Sequence, residues 1–486
     1  MRQASFAETV APSRLLAPSA VPVSIAVVCG LIAGAALATK PHLVLVGIAV
    51  AVAAVWVAVA FSQPSVAFAG LVALTVFVPS YASPEIGPLL FIPAAAGAWV
   101  LAVALGWRNL IAHGRLFRPT VVDVGFGAFV LLMAISTAFS PRGTRAELAH
   151  LMFIWAGPYL GARLLLRDVG RPLRLLAACF GVATAVLAPI VLLEHLGTGN
   201  VFHNLDFNAT EFATWAGQAD RFGQVRAEAS FGHPIALSMF AASSALLSLG
   251  MALSAKAWRE RQLWYCSAAL AIAVQLMTVS RTGWLMIVIG VVMLVALLAQ
   301  GEYRSRLIGL ATTVAITLLL ASVLVPGALD ILPGFGKTES AVQSSSHYRQ
   351  ALLARALEPG VLNAWGNAQN KVTPFVAGGT ATDNAYIILA DTWGLIPTAG
   401  LVFVALALIW VMARNYGRDP EALLTVPVIA FASMVALFFV AFITQQQVVI
   451  WLLVGASAVV AERLASARRE DLPQGPPQRT EGFARM

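Results

Sequence analysis

Long apolar runs broken by short polar turns dominate the chain. A run of about 20 apolar residues spans the hydrocarbon core of a bilayer. About 14 such runs are predicted, near 21–39, 43–61, 65–82, 87–106, 120–139, 147–165, 174–195, 234–253, 263–280, 283–300, 306–326, 384–412, 423–442 and 448–462. The divisions within 65–106 and 423–462 are the least sharp, which sets a range of about 12 to 14 spans. Most connections are short. Two are long, roughly 196–233 and 327–383, and loops beyond about 15 residues are usually functional or disordered. The pattern predicts an all-α polytopic membrane protein. Membrane helices fill 21–195, 234–326 and 384–462, the two long loops lie between them, and tails at 1–20 and 463–486 read as disordered.

Composition agrees. The chain is 59% hydrophobic and 11% charged, against about 25% charged in a soluble domain. The N-terminal stretch "MRQASFAETVAPSRLLAPSA" has no signal-peptide cleavage pattern and reads as a cytosolic tail. Cys29, Cys179 and Cys266 all fall in apolar segments, which argues against a disulfide framework or a cysteine zinc site.

The formal charge of +8 raises a nucleic-acid partner, but loop arginines explain it more simply. With the N-terminus inside and spans alternating, 21 of the 31 basic residues fall on the cytosolic side, among them Arg108, Arg118, Arg163, Arg167, Arg414 and Arg469. That is the positive-inside rule. The other ten are Lys40, Arg142, Arg145, Arg221, Arg226, Arg281, Lys337, Arg349, Arg355 and Lys371, and seven of these lie between 221 and 371. The second long loop carries "SSSHYRQALLARALEPG", with serines at a cap position and a Pro-Gly stop. Its Leu352, Leu353, Ala356 and Leu357 are predicted on one face. The stretch reads either as an amphipathic helix on the outer membrane surface or as a solvated helix packed on the bundle.

Three outward stretches gather the candidate chemistry: "RAEASFGHP" from Arg226, "SRTGW" from Ser280, and "TDNAYIILADTWG" from Thr382. Arg226 and Arg281 offer planar guanidiniums suited to bidentate phosphate binding. The bland alternative for Arg281 is an interfacial arginine snorkelling to lipid phosphate. Asp383 supplies a carboxylate and Asn384 a donor beside it, while Asp391 lies deeper and suits either an arginine's partner or a catalytic role.

These stretches, in this order, resemble the O-antigen ligase and O-antigen polymerase superfamily of bacterial envelope glycosyltransferases. The matching elements are Arg226 with Phe231 and Pro234; Ser280-Arg281-Thr282-Gly283; Arg349 in the loop helix; Asp383-Asn384-Ala385-Tyr386; and Gly394-Leu395. The likeness covers roughly residues 220–400. Polymerases of this group also place a glycine beyond an arginine at a set spacing in each large loop, as in Arg221…Gly232, Arg349…Gly360 and Arg355…Gly366. The family usually has histidine where this chain has Asp383. That departure makes a lipid A–core ligase less favoured, and His233 and His347 stand in reserve as bases.

The resemblance implies a GT-C-like architecture with a large periplasmic loop, in the bacterial inner membrane, both termini cytosolic. It implies a glycan donor linked to undecaprenyl diphosphate, a glycan or lipid acceptor, membrane lipids as surroundings, and a chain-length regulator as a protein partner. Arg226, Arg281 and Arg349 would contact the diphosphate. Asp383 would be the base, supported by Asn384, Tyr386, Asp391 and Arg221, with inversion at the anomeric carbon. No DxD, HExxH or His/Cys ligand cluster is visible, so no metal and no cofactor is expected. Polymerase is favoured over ligase, and the rival from another class is a secondary transporter or lipid-linked glycan flippase.

Overall fold

The computed structural model describes residues 42–83, 85–86, 89–90, 92–139, 144–205, 212–213, 220–221, 224–298, 350–366, 384–417 and 422–470. The helices are α1 (His42–Ser62), α2 (Pro64–Phe77), α3 (Pro93–His113), α4 (Val121–Ser136), α5 (Thr144–Leu165), α6 (Pro172–His195), α7 (Pro234–Ser254), α8 (Trp258–Met277), α9 (Arg281–Leu298), α10 (Ala385–Thr392), α11 (Leu395–Arg414), α12 (Thr425–Ala436) and α13 (Thr444–Glu470). Each predicted span overlaps a helix except 384–412, which divides between two, and 21–39 and 306–326, which lie outside the described residues. Among the described residues, five helices are long and apolar enough to cross a membrane: α3, α6, α7, α11 and the Gln445–Arg469 stretch of α13. Several others are shorter apolar helices. The chain is an all-α membrane protein in this coarse sense. Two short antiparallel ribbons depart from a purely helical expectation: β1 (Glu85–Ile86) with β2 (Leu89–Leu90), and β3 (Asp220–Arg221) with β4 (Gln224–Val225).

Residues 1–67 and 68–486 form two compact units. In the first, Trp56 Nε1 donates to the Ala67 carbonyl at 3.2 Å. In the second, α7 is the centre: α6, α8, α9, α12 and α13 all pack on it. Its hydroxyls serve those contacts, with Thr184 Oγ1 donating to Ser244 Oγ at 2.8 Å and Ser248 Oγ bonding Ser267 Oγ at 2.9 Å. A helix apolar on all sides must be buried on all sides. Where helices meet closely, small residues permit it, as expected without a hydrophobic drive between helices in lipid. At Gly455 of α13 a β-carbon would lie 2.3 Å from the Tyr159 carbonyl oxygen of α5. Beside that contact the rings of Phe126, Phe129, Trp155, Tyr159 and Trp451 interleave.

The helices α5, α7 and α13 run in one direction, which gives the second unit two distinct ends. Gln445 and Gln446 of α13 meet Ser230 and Met239 near the start of α7, while Glu462 meets Arg163 near the end of α5. At 1.5 Å per residue these two levels of α13 are roughly 25 Å apart.

At the Arg163 end a closed ionic cluster holds α4, α5 and α13 together. Arg163 is fully buried. Its Nε donates to Asp123 Oδ1 at 3.1 Å, its Nη1 to Glu462 Oε2 at 2.7 Å, and its Nη2 to the Arg118 carbonyl at 2.9 Å. Tyr159 donates to the same Asp123 oxygen at 2.7 Å, and the other Asp123 oxygen completes the Thr120 capping box that starts α4.

Two predictions about the second long loop need correction. The run 384–412 is not one span: it breaks at Trp393–Gly394 into α10 and α11. Gly394 has φ +102°, and a β-carbon there would lie 2.5 Å from Gly366 N, so only glycine fits the break. The segment 363–366 laces into it, with Gly366 N donating to Trp393 O, Leu395 N to Asn363 O and Ile396 N to Ala364 O. The second correction concerns the short helix over 350–356, whose apolar residues do not share one buried face. Leu352 and Ala356 pack with Val361 and Ile387, whereas Leu353 and Leu357 are 50% and 74% exposed. A four-residue spacing keeps each pair in one stripe, but the two stripes diverge by a residue's turn of about 100°.

Candidate functional site

Two segments distant in sequence meet at the end of the unit away from Arg163. Ala227 N donates to the Met277 carbonyl at 3.1 Å, and Arg226 Nε to the Thr278 carbonyl at 3.4 Å. The first stretch singled out in the sequence is thereby tied to the tight turn that opens α9. That turn is shaped by Val279, whose φ of +48° is rare for a β-branched side chain; such conformations cost about 1–3 kcal/mol and persist where surroundings impose them. The surroundings here are explicit. Gln275 Nε2 donates to the Ser280 carbonyl at 2.9 Å, Thr278 Oγ1 to the Gln275 carbonyl at 2.7 Å, and Gly283 N to Ser238 Oγ at 3.0 Å. Gly283 allows this convergence, since a β-carbon there would lie 2.3 Å from both Gln275 Oε1 and Ser238 Oγ.

Arg281 is the first residue of α9 and is partly exposed. Its Nε is buried and has no hydrogen-bond partner among the described residues; the same holds for Ser280 Oγ and Trp284 Nε1. Buried polar atoms are normally paired. Among the described residues, three unpaired ones within five positions mark this turn out.

Behind this turn the 225–231 loop is fastened from several sides. Glu194, in the last turn of α6, accepts from Glu228 N at 3.1 Å and Ala229 N at 2.9 Å. His195 Nδ1 lies 2.7 Å from the Val225 carbonyl, and Asn200 Nδ2 donates to the Ala229 carbonyl at 2.8 Å. Gln445 Nε2 donates to Ser230 O at 2.8 Å and Val78 O at 2.9 Å. Glu228 is itself fully buried and accepts from His203 Nε2 at 2.7 Å. Burial lowers the His203 pKa, against the pull of the Glu194 charge. The hydroxyl of Tyr81, buried beside this group, is held well above its ordinary value by burial and by the Glu228 and Glu194 charges, so it remains a phenol.

The sequence-predicted residues divide as follows. Arg226, Arg281 and His233 come together at this end. His233 caps α7, its Nδ1 accepting from Ile235 N at 3.2 Å. Burial, then the Arg226 charge, push its pKa down to about 4, which suits a neutral cap better than a base working near neutrality. Asn384 caps α10 through Oδ1, accepting from Tyr386 N at 3.0 Å and Ile387 N at 3.1 Å. Tyr386 is anchored as well: its hydroxyl donates to the Met434 carbonyl at 3.0 Å and its ring stacks on Phe438. Ala385 N bonds the Leu437 and Val440 carbonyls, which seats α10 over the end of α12, and α12 packs on α9. Asp391 is buried on α10. Arg221 lies on β3. Asp383, Arg349 and His347 lie outside the described residues.

Sequence reasoning passed over Glu194, Glu228, Asn200 and Gln445. One signal was available: "TQQQ" opening an apolar helix at 444–447. Polar side chains inside membrane segments face the bundle and find partners, and all three glutamines do, Gln447 Oε1 accepting from Trp155 Nε1 at 2.8 Å. No protein-family model matches the chain, and no curated protein matches it at a significant level.

Proposed function

We propose that this protein is a membrane glycosyltransferase that transfers or polymerises glycan from an undecaprenyl-diphosphate-linked donor, with its site at the Arg226–Arg281 end and that end on the periplasmic face. The observation that supports the reading is the convergence of Arg226 and Arg281 on the Met277–Arg281 turn, with Arg281 Nε lacking an acceptor among the described residues. In the proposed reaction an acceptor hydroxyl attacks the anomeric carbon, the bond to the diphosphate breaks, and its electron pair passes to a diphosphate oxygen. Fixed positive donors placed where that charge develops lower the barrier. Asp383, adjacent in sequence to the cap of α10, takes the hydroxyl proton. Inversion follows from attack opposite the leaving group. Polymerisation, with a second lipid-linked repeat as acceptor, is the favoured form.

The test is a charge-conserving substitution. Lysine reaches a lipid phosphate as well as arginine does but loses the bidentate fork. Arg281→Lys should fold normally and transfer glycan at least about tenfold more slowly, approaching the hundredfold typical of one lost donor. Arg281→Ala should be almost inactive, and Arg115→Lys, exposed at the opposite end, should be silent. Wild-type transfer by Arg281→Lys would return this residue to a membrane-edge contact and sink the reading.

A further inference from the structure

At the Arg163 end, the mouth between α4, α11 and α13 forms a cleft of about 670 Å³. Its charged lining is Arg118, Arg414, Arg468 and Arg469 against the single carboxylate of Glu462. That carboxylate is already engaged, 2.7 Å from Arg163 Nη1 and 3.8 Å from Arg167 Nε. Arg118, Arg414 and Arg469 are exposed, and no carboxylate pairs with them among the described residues. The cleft is thus a concentration of positive charge in which Arg118, Arg414 and Arg469 have no acidic counterpart among the described residues.

It does not end there. An apolar furrow of about 420 Å³ runs on between α4 and α11, sharing Val121 and Trp410 with the basic cleft. Its walls are built at helical spacing, Val121, Val124, Gly125 and Ala128 on one helix facing Phe403, Leu406, Ala407 and Trp410 on the other. Each set spans eight residues, or roughly 10 Å along the helix. The small Gly125, Ala128 and Ala407 make the depression. Val124, Phe403, Leu406 and Trp410 are each more than half exposed, so the furrow opens to the outside of the bundle. Trp410 stands at the junction, where an amphipathic indole suits a boundary between headgroup and hydrocarbon.

We infer that this composite site holds an anionic glycerophospholipid of the surrounding leaflet, its phosphate among Arg118, Arg414 and Arg469 and an acyl chain along the furrow. A free anion would use the basic cleft alone and a neutral lipid the furrow alone. Only a molecule with both parts matches a basic mouth continuous with an apolar groove, and basic pockets between membrane helices are a recurrent means of binding acidic headgroups. The inference stands apart from the glycosyl-transfer reading, whose site is at the other end.

The test is native mass spectrometry of the full chain in detergent, titrated separately with phosphatidylglycerol, phosphatidylcholine and inorganic phosphate. Wild type should retain phosphatidylglycerol in preference to phosphatidylcholine. The exposed double variant Arg414→Gln/Arg469→Gln should lose roughly twentyfold in apparent affinity, about fivefold per removed charge. Ala128→Phe, which fills the furrow and leaves every arginine in place, should weaken binding by a similar factor, so the two variants keep the test open if one folds poorly. Equal retention of both lipids overturns the inference. So does a phosphate signal that matches the lipid's and ignores Ala128→Phe, which would mark a simple anion site. Binding that emerges only after residues 471–486 are removed also overturns it, by making the chain's own tail the occupant.

Discussion

The two ends of the helical unit use arginine in opposite ways. Arg163 is fully enclosed, and its donors reach Asp123, Glu462 and the Arg118 carbonyl. Arg281 starts a helix at the other end, partly exposed, with Nε buried and unpartnered among the described residues. In the first case the protein neutralises the guanidinium completely, and the residue is a joint between helices. In the second it fixes the guanidinium's position and leaves its charge for something else. Burial alone would have pointed to the wrong arginine; completeness of pairing is what separates a structural charge from a candidate binding one.

The sharpest way to test the contrast is to remove each. Arg163→Met leaves Asp123 and Glu462 facing each other's charge in a buried site, and breaking such a pair costs about 3–5 kcal/mol. Thermal unfolding in detergent should show a collapse of stability or loss of folded material, whereas Arg281→Met should melt close to wild type. Equal melting of the two variants would erase the distinction.

The next effect is a pH dependence at the Arg281 end. His233 has its folded pKa pushed down to about 4 from 6.5, so the folded state binds fewer protons than the unfolded one below pH 6.5. Its contribution is present in full above pH 6.5 and is lost as pH falls toward 4, amounting to roughly 3 kcal/mol at most. His233→Asn keeps a capping oxygen, and its melting temperature should fall less over that window. A parallel fall in both proteins would assign the acid sensitivity elsewhere.

Glu194→Gln gives a smaller change. Glutamine keeps one acceptor for the Glu228 and Ala229 N–H groups and leaves the other N–H unsatisfied, about 1–3 kcal/mol. Because this loop positions Arg226, glycan transfer should fall more than stability does, and unaltered transfer would remove Glu194 from the site's support. The smallest expected effect is none: turnover should survive a chelator, since arginines are proposed to carry the diphosphate charge. Loss of activity in EDTA, with rescue by Mg²⁺ or Mn²⁺, would recast Asp383 as a metal ligand.

Much of the architecture was legible in the chain because hydropathy and loop charge act locally. The spans around α3, α6, α7 and α11 are stretches whose composition alone demands a membrane-like setting. The arginine asymmetry is equally local, yet it misjudged Arg163. Counted as a loop cation, it is enclosed because α5 continues to Leu165 and α13 brings Glu462 from 299 residues away. The turn before Arg281 was recognisable as a motif. Its buttress was not, since Glu194 finds its partners 34 and 35 residues along the chain, and nothing in an apolar helix ending in "EH" announces them. The break at Gly394 was within reach, as Gly followed closely by Pro397 is a helix-stop pattern. The apolar run across it masked the signal.

The enclosure of α7 bears on how the molecule is made. Its neighbours include α6 and α8, which flank it in sequence, but also α12 and α13, the final helices of the second unit. A ribosome finishes α7 more than 200 residues before it finishes α13. During that interval the side of α7 that carries Met239 and Gly250 lacks the neighbours it has in the folded chain, Gln446 of α13 and Thr425 of α12. The packing around α7 is therefore completed only when α12 and α13 arrive. Chains released early would carry a half-wrapped central helix, a surface that membrane quality-control proteases can read as unfinished.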